Sequence, residues 1–195
     1  MKREVVIVKK IFIMVMILTT MVGCQKTLDM SKAEEKDNVY YEVGQTQPFS
    51  GVLKEYFYED KIKEEAEYKN GKLNGEKKVY NLDGTLNASG KFKNNELNGV
   101  LKLYYDDGKI ESEGNYKDGK MHGKAKTYYP NGKIKLESNY KDGKLDGIAR
   151  KHYESGVLKS EVSFKDGKLD GVSKAYDENG KLEIEALYDE GNLIK

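Results

Sequence analysis

GVLKLYYDDGKIESEGNYKDGKMH, residues 99–122, carries two turn signals eleven residues apart, Asp107-Gly108 and Asp118-Gly119. Asp-Gly and Asn-Gly favour two-residue hairpin turns, because those turns need positive φ. The residues between the signals form runs of strand length. This one stretch therefore reads as two strands and two reversals. The segments on either side repeat it.

Gly51, Gly75, Gly99, Gly123, Gly147 and Gly171 recur every 24 residues, and each is taken as position one of a unit. Position four is Lys54, Lys78, Lys102, Lys126, Arg150 and Lys174. Position six is Tyr56, Tyr80, Tyr104, Tyr128, His152 and Tyr176. Position fifteen is Glu65, Ser89, Glu113, Glu137, Glu161 and Glu185. Position eighteen is always aromatic, from Tyr68 to Tyr188, and position twenty-three is leucine or Met121. Six units fill residues 51–194 without an insertion. Repeats of this length mark arrays whose units each contact only their neighbours.

The fold class expected is all-β, an elongated antiparallel meander of β-hairpin repeats with about twelve strands. Turns at positions nine–ten and twenty–twenty-one set the register and place position four opposite position fifteen. Lys54, Lys102, Lys126, Arg150 and Lys174 then face glutamates, while Lys78 faces Ser89. Glu59-Asp60 and Asn94-Asn95 lack the turn glycine but keep residues that tolerate positive φ. The same register predicts an apolar face from positions seven, twelve, eighteen and twenty-three, with small residues at sixteen. The other face carries the lysine–glutamate pairs and the position-six side chains. Phe49 keeps the repeat phase, and Val39–Glu42 is a candidate lead-in strand within 39–50. The last unit, which lacks a following strand here, is expected to act as a cap.

Residues 1–23 hold Lys2, Arg3, Lys9 and Lys10 ahead of an apolar run, Ile11 to Leu18. The run is short for a membrane span and suits a signal peptide. Met21-Val22-Gly23-Cys24 resembles the lipobox of bacterial lipoproteins, with Met21 where leucine is usual. That resemblance implies acylation and cleavage at Cys24. It places the protein in the cell envelope, at an outer membrane or the cell surface if the cell has two membranes. An uncleaved anchor or an ordinary signal peptide is the plainer alternative. Polar residues 24–38 read as a flexible tether.

Composition narrows the function. Beyond residue 23 the chain carries 30 basic and 32 acidic side chains, which gives no footprint for nucleic acid. His122 and His152 fall at different repeat positions, and every paired carboxylate tracks the repeat, so an enzyme, a metal site and a cofactor are not expected. The Asp-Gly-Lys turns offer one carboxylate each, too few for calcium. Tyr56, Tyr80, Tyr104, Tyr128, His152 and Tyr176 form the candidate binding stripe, for a peptide, a glycan or another extended polymer. The plainer reading is that they shield backbone and lysine stems.

Tyr116-Lys117-Asp118-Gly119-Lys120-Met121-His122-Gly123 resembles a MORN repeat, as do Tyr68 to Gly75 and Tyr140 to Gly147. The 24-residue unit with its Lys-x-Tyr-Tyr segment is similar to the bacterial variant class. The resemblance implies a hairpin sheet used for binding, as a membrane-anchored scaffold holding a partner protein or polymer. The alternative it implies is an antitoxin-like protein that neutralises a partner toxin.

Overall fold

The computed structural model describes residues 25–195; the apolar N-terminal segment and Cys24 lie outside them. β1 (Thr27–Asp29), a 3-10 turn (Met30–Lys32), β2 (Ala33–Lys36) and β3 (Val39–Glu42) precede the repeats. The repeats supply β4 (Gly51–Tyr56), β5 (Ile62–Lys69), β6 (Lys72–Tyr80), β7 (Leu86–Lys93), β8 (Glu96–Tyr104) and β9 (Ile110–Lys117). They continue with β10 (Lys120–Tyr128), β11 (Ile134–Lys141), β12 (Lys144–Leu145), β13 (Gly147–His152), β14 (Leu158–Lys165), β15 (Lys168–Tyr176), β16 (Leu182–Asp189) and β17 (Asn192–Leu193). Strands β4 to β17 form a sequential antiparallel meander, with β1 added in parallel against β4. The sheet has 15 strands, more than the twelve expected. The surplus comes from β1, from Asp146 splitting β12 from β13, and from the short return β17.

The two turn types of each unit differ. At positions twenty and twenty-one both residues take positive φ, as in Asp118 (48°) and Gly119 (75°), and the flanking lysines pair directly. This is the two-residue hairpin the sequence predicts. Asn94 and Asn95 adopt it without glycine. The other turn is a three-residue loop. The Gly108 N–H donates to the Tyr105 carbonyl at 2.8 Å, and the Tyr105 N–H to the Lys109 carbonyl at 2.8 Å. Gly108 follows that turn at φ 81°. A β-bulge then skips position thirteen, so Tyr104 pairs with Ile110 and Leu103 with Ser112. Loop and bulge offset one another, and position four meets position fifteen in every unit, as predicted. In the first unit Glu59, rather than Asp60, takes the positive φ.

A second irregularity between units explains the 24-residue glycine. Leu97 pairs with Phe92 and Leu101 with Gly90, so Asn98, Gly99 and Val100 together oppose Lys91. Gly99 has φ 138°, and a Cβ there would lie 2.8 Å from the Lys91 Cβ. Glycine is what lets the backbone bulge this close to the neighbouring strand.

The bulges also redraw the apolar face. Directly opposed residues share a face, and alternate residues return to it. Positions three, five, fourteen, sixteen, eighteen and twenty-three therefore form one strip. Positions seven and twelve, expected in the core, do not line it. Position twelve pairs with position six beyond the bulge. The tyrosines at seven fasten units along the turn edge: Tyr105, Tyr129 and Tyr153 donate to the carbonyls of Tyr128, His152 and Tyr176 at 2.6, 2.7 and 2.9 Å.

The lead-in is built into the fold from Thr27 on, where the sequence suggests a tether. β2 and β3 pair with each other, and β3 does not extend the repeat sheet. The Tyr40 N–H donates to the Gly71 carbonyl at 2.8 Å, and the Gly71 N–H to the Phe49 carbonyl at 2.7 Å. Leu28 and Phe49 thereby bury against Leu53, Ala66 and Tyr68, with Met30, Ala33, Tyr40 and Leu73 packed around them. This is the closed core, with Leu53 only 1 % exposed.

Candidate functional site

The polar face is an ionic ladder. Glu65, Glu113, Glu137 and Glu161 each stand opposite two position-four cations, one from the same unit and one from the next, and Glu185 faces Lys174 alone. Glu65 sits 3.5 Å from Lys54 and 3.7 Å from Lys78. Arg150 reaches Glu161 at 2.6 Å and Glu137 at 4.0 Å, and Lys174 reaches Glu185 at 3.6 Å.

The stripe tyrosines are half-buried in this ladder. The Tyr80 hydroxyl donates to Glu65 Oε1 at 2.7 Å, and the Tyr128 hydroxyl to Glu113 Oε1 at 2.7 Å. The Tyr104 hydroxyl lies 3.2 Å from Ser89 Oγ. Three of the six stripe side chains thus bond position fifteen of the preceding unit. Burial, and then the bond to Glu113, push the Tyr128 phenol up to about 12. Burial pushes Glu65 upward, but the Tyr80 hydroxyl and the charges of Lys54 and Lys78 outweigh it and hold the carboxyl below its ordinary range. Tyr56, His152 and Tyr176 occupy the same stripe, and His152 Nδ1 is buried without a hydrogen-bond partner among the described residues. His122 stands elsewhere, its Nδ1 3.2 Å from the Asp142 carboxylate of the next turn.

The opposite face changes character along the array. In the first unit the lead-in covers the strip. In units three and four the equivalent positions form an open trough of about 220 Å³ lined by Leu101, Leu103, Gly114, Tyr116, Met121, Ala125, Leu136 and Tyr140, among others. Leu103 is 38 % exposed and Leu136 36 %. Gly114 leaves the floor low: a Cβ there would stand 3.4 Å from both Met121 and Tyr116. The repeat pattern hides Leu101, Leu103, Ala125 and Leu136, because positions three, five and fourteen change residue from unit to unit. Only strict alternation counted through the bulge would have found them.

A single-layer array of β-hairpins with one ionic face and one partly covered apolar face defines a repeat protein of the interaction type. The chain belongs to the MORN repeat variant family, whose profile matches residues 50–70, 97–118, 121–142, 145–166 and 169–190. Repeats of this family serve in general as protein- and membrane-interaction modules. The second unit escapes the profile yet folds as the others do. No curated protein sequence matches the chain. Among solved structures, it is similar to S. aureus TarM with fondaparinux, alpha-GlcNAc-glycerol and UDP, at 18 % identity and a TM-score of 0.34 over 49 % of this chain and 19 % of that one. Another TarM structure gives 19 % identity and a TM-score of 0.33 over 48 % and 20 %. Accessory secretory protein 1, 2 and 3 of Streptococcus pneumoniae gives 17 % and 0.32 over 66 % and 21 %. The chain therefore spans only a small part of each of these proteins.

Proposed function

We propose that the protein is an envelope lipoprotein, anchored through Cys24, whose repeat sheet holds a partner protein on the apolar strip of units three and four. The observation that carries this reading is the lead-in. In unit one, Leu28 and Phe49 cover Leu53, Ala66 and Tyr68. Leu101, Gly114 and Tyr116 stand at the same repeat positions and line the uncovered trough, Leu101 and Tyr116 half-buried and Gly114 at its floor. The protein thus carries its own example of what the strip accepts, a chain segment with aliphatic and aromatic anchors. Burying such anchors stabilises a complex by roughly 25 cal/mol for each Å² of apolar surface removed from water, before the costs of association. The tyrosine stripe supports partner contact less well, since the hydroxyls of Tyr80, Tyr104 and Tyr128 already bond within the sheet.

Site-specific photocrosslinking in intact cells tests the reading. A photoreactive side chain at Leu136, on the strip, should give a discrete partner adduct, and one at Lys102, on the ionic face, should not. Replacing Cys24 with alanine should abolish the adduct by releasing the protein from the membrane. Equal adducts from both faces, or none from the strip, refute the docking surface. An adduct that persists unchanged in Cys24→Ala refutes the anchor alone.

A further inference from the structure

Lysines on the two turn edges of the sheet are used differently. On the three-residue-loop edge they brace the next unit. Lys61 Nζ donates to the Leu82 carbonyl at 3.4 Å, Lys109 Nζ to the Pro130 carbonyl at 3.1 Å and Lys133 Nζ to the Ser155 carbonyl at 2.6 Å. On the two-residue-turn edge lysines stand directly opposite lysines: Lys69 and Lys72, Lys117 and Lys120, Lys141 and Lys144, Lys165 and Lys168. All eight are exposed, and among the described residues none joins an ion pair or donates a side-chain hydrogen bond.

Like charges directly opposite one another destabilise a strand pair by about 0.2–1 kcal/mol. Charged lysines commonly blunt a sheet's outer strands against aggregation. These strands are internal, paired on both sides, so that explanation does not reach them. Three aspartates of the same edge, Asp118, Asp142 and Asp146, have carboxylate partners along it, while the Asp166 carboxylate has none among the described residues. Asp118 accepts a hydrogen bond from Asn98 at 2.9 Å, Asp142 lies against His122, and Asp146 accepts the Asp166 N–H at 3.5 Å. Units three, four and five carry the lysine pairs consecutively. The row is broken in unit two, where Lys93 faces Glu96, and in unit six, where Asp189 faces Asn192. Two strands per unit space the pairs about 10 Å apart.

We propose that this edge, from Lys117 to Lys168, binds a linear polyanion, a polymer that repeats carboxylate, sulfate or phosphate groups along its length. Lysine ammoniums are compact point charges without the planar fork of arginine. A row of them matches repeated anionic groups without selecting one substituent geometry. Binding releases condensed counterions and weakens steeply with salt. The site is independent of the apolar trough, which lies on a face of the sheet rather than at its turns.

The test is a binding titration of the full-length chain with inorganic polyphosphate and, separately, with a sulfated glycan. Neutral dextran and anionic lipid vesicles serve as comparisons. At least one polyanion should bind, and its affinity should fall at least about tenfold between about 50 and 200 mM salt. Which polymer binds identifies the source of the anionic groups. The triple variant Lys117→Gln, Lys141→Gln, Lys165→Gln should lose affinity about tenfold while keeping or raising its thermal midpoint, because repulsion is relieved. The same three positions changed to arginine should retain binding, which separates loss of charge from loss of fold. Lys61→Gln, Lys109→Gln, Lys133→Gln on the opposite edge should bind as the parent does. No polymer binding at low salt, equal loss from both edges, or capture by vesicles alone would overturn the proposal.

Discussion

Two glycines fifteen residues apart should respond oppositely to the same added methyl group. Gly99 sits in the bulge at φ 138°, and its Cβ would fall 2.8 Å from the Lys91 Cβ. Neither carbon is the far end of a flexible chain, so the backbone has to move. Left-handed strain costs on the order of 1–3 kcal/mol, and overpacking adds a further 1–3 kcal/mol or so. Gly99→Ala should therefore destabilise its unit by about 2–6 kcal/mol. Gly114 has no positive φ, and its Cβ would make ordinary contacts with Met121 and Tyr116 at 3.4 Å and with Ala125 at 3.8 Å. Gly114→Ala should stabilise by about 0.4–1 kcal/mol, chiefly by restricting the unfolded chain. Native-state hydrogen exchange over β8 to β10, with thermal melts followed by circular dichroism, gives both signs. Equal losses of stability at the two sites would refute the argument, since it rests on the bulge being tight and the trough floor being open.

Phe49→Ala should cost about 3–5 kcal/mol at the lead-in. Exchange protection should fall from Thr27 to the first hairpin and remain in units three to five, because repeats couple mainly to their neighbours; a global loss in exchange experiments would contradict this. The depressed Glu65 carboxyl contributes stability that is complete above the ordinary carboxylate pKa and lost as pH falls through its lowered one. Acid unfolding of Glu65→Gln should accordingly show a flatter limb below about pH 4.5 than the parent. Tyr128 has a raised pKa, so its contribution is complete below the ordinary tyrosine range and lost as pH rises toward about 12. An ultraviolet titration of tyrosinate should show one fewer late-ionising phenol in Tyr128→Phe. Arg150→Ala breaks half-buried ion pairs with Glu161 and Glu137 that solvent still screens, and should shift stability by about 1 kcal/mol, the difference shrinking in high salt.

Much of the architecture is legible in the sequence because it repeats. The glycine spacing, the Asp-Gly turns and the alternation of lysine with glutamate each point to hairpins, and the position four–fifteen register follows from them. What stayed hidden is what does not repeat or what compensates. A three-residue loop and a bulge at position thirteen cancel in the register of Lys102 and Glu113, yet they move Ile110 and Tyr105 off the apolar strip. Leu101, Leu103 and Leu136 carry the trough, but lysine, threonine or alanine stand at those positions in other units. Residues 27–36 look like a tether because they are polar and alternate in charge. Only Leu28, Met30 and Ala33 betray their packing, and three apolar residues among charges give no periodicity to read.

The β1–β4 pair also matters for how copies of the chain can meet. A meander of similar hairpins offers each rim as a template for another molecule's strand. At the N-terminal rim that template is reduced to three residues of opposite polarity. Asp29 then spends its carboxylate on the Ser31 N–H at 2.8 Å as the chain turns away. An incoming strand would find too short a ladder to hold, so the array is plugged against end-to-end polymerisation from that side.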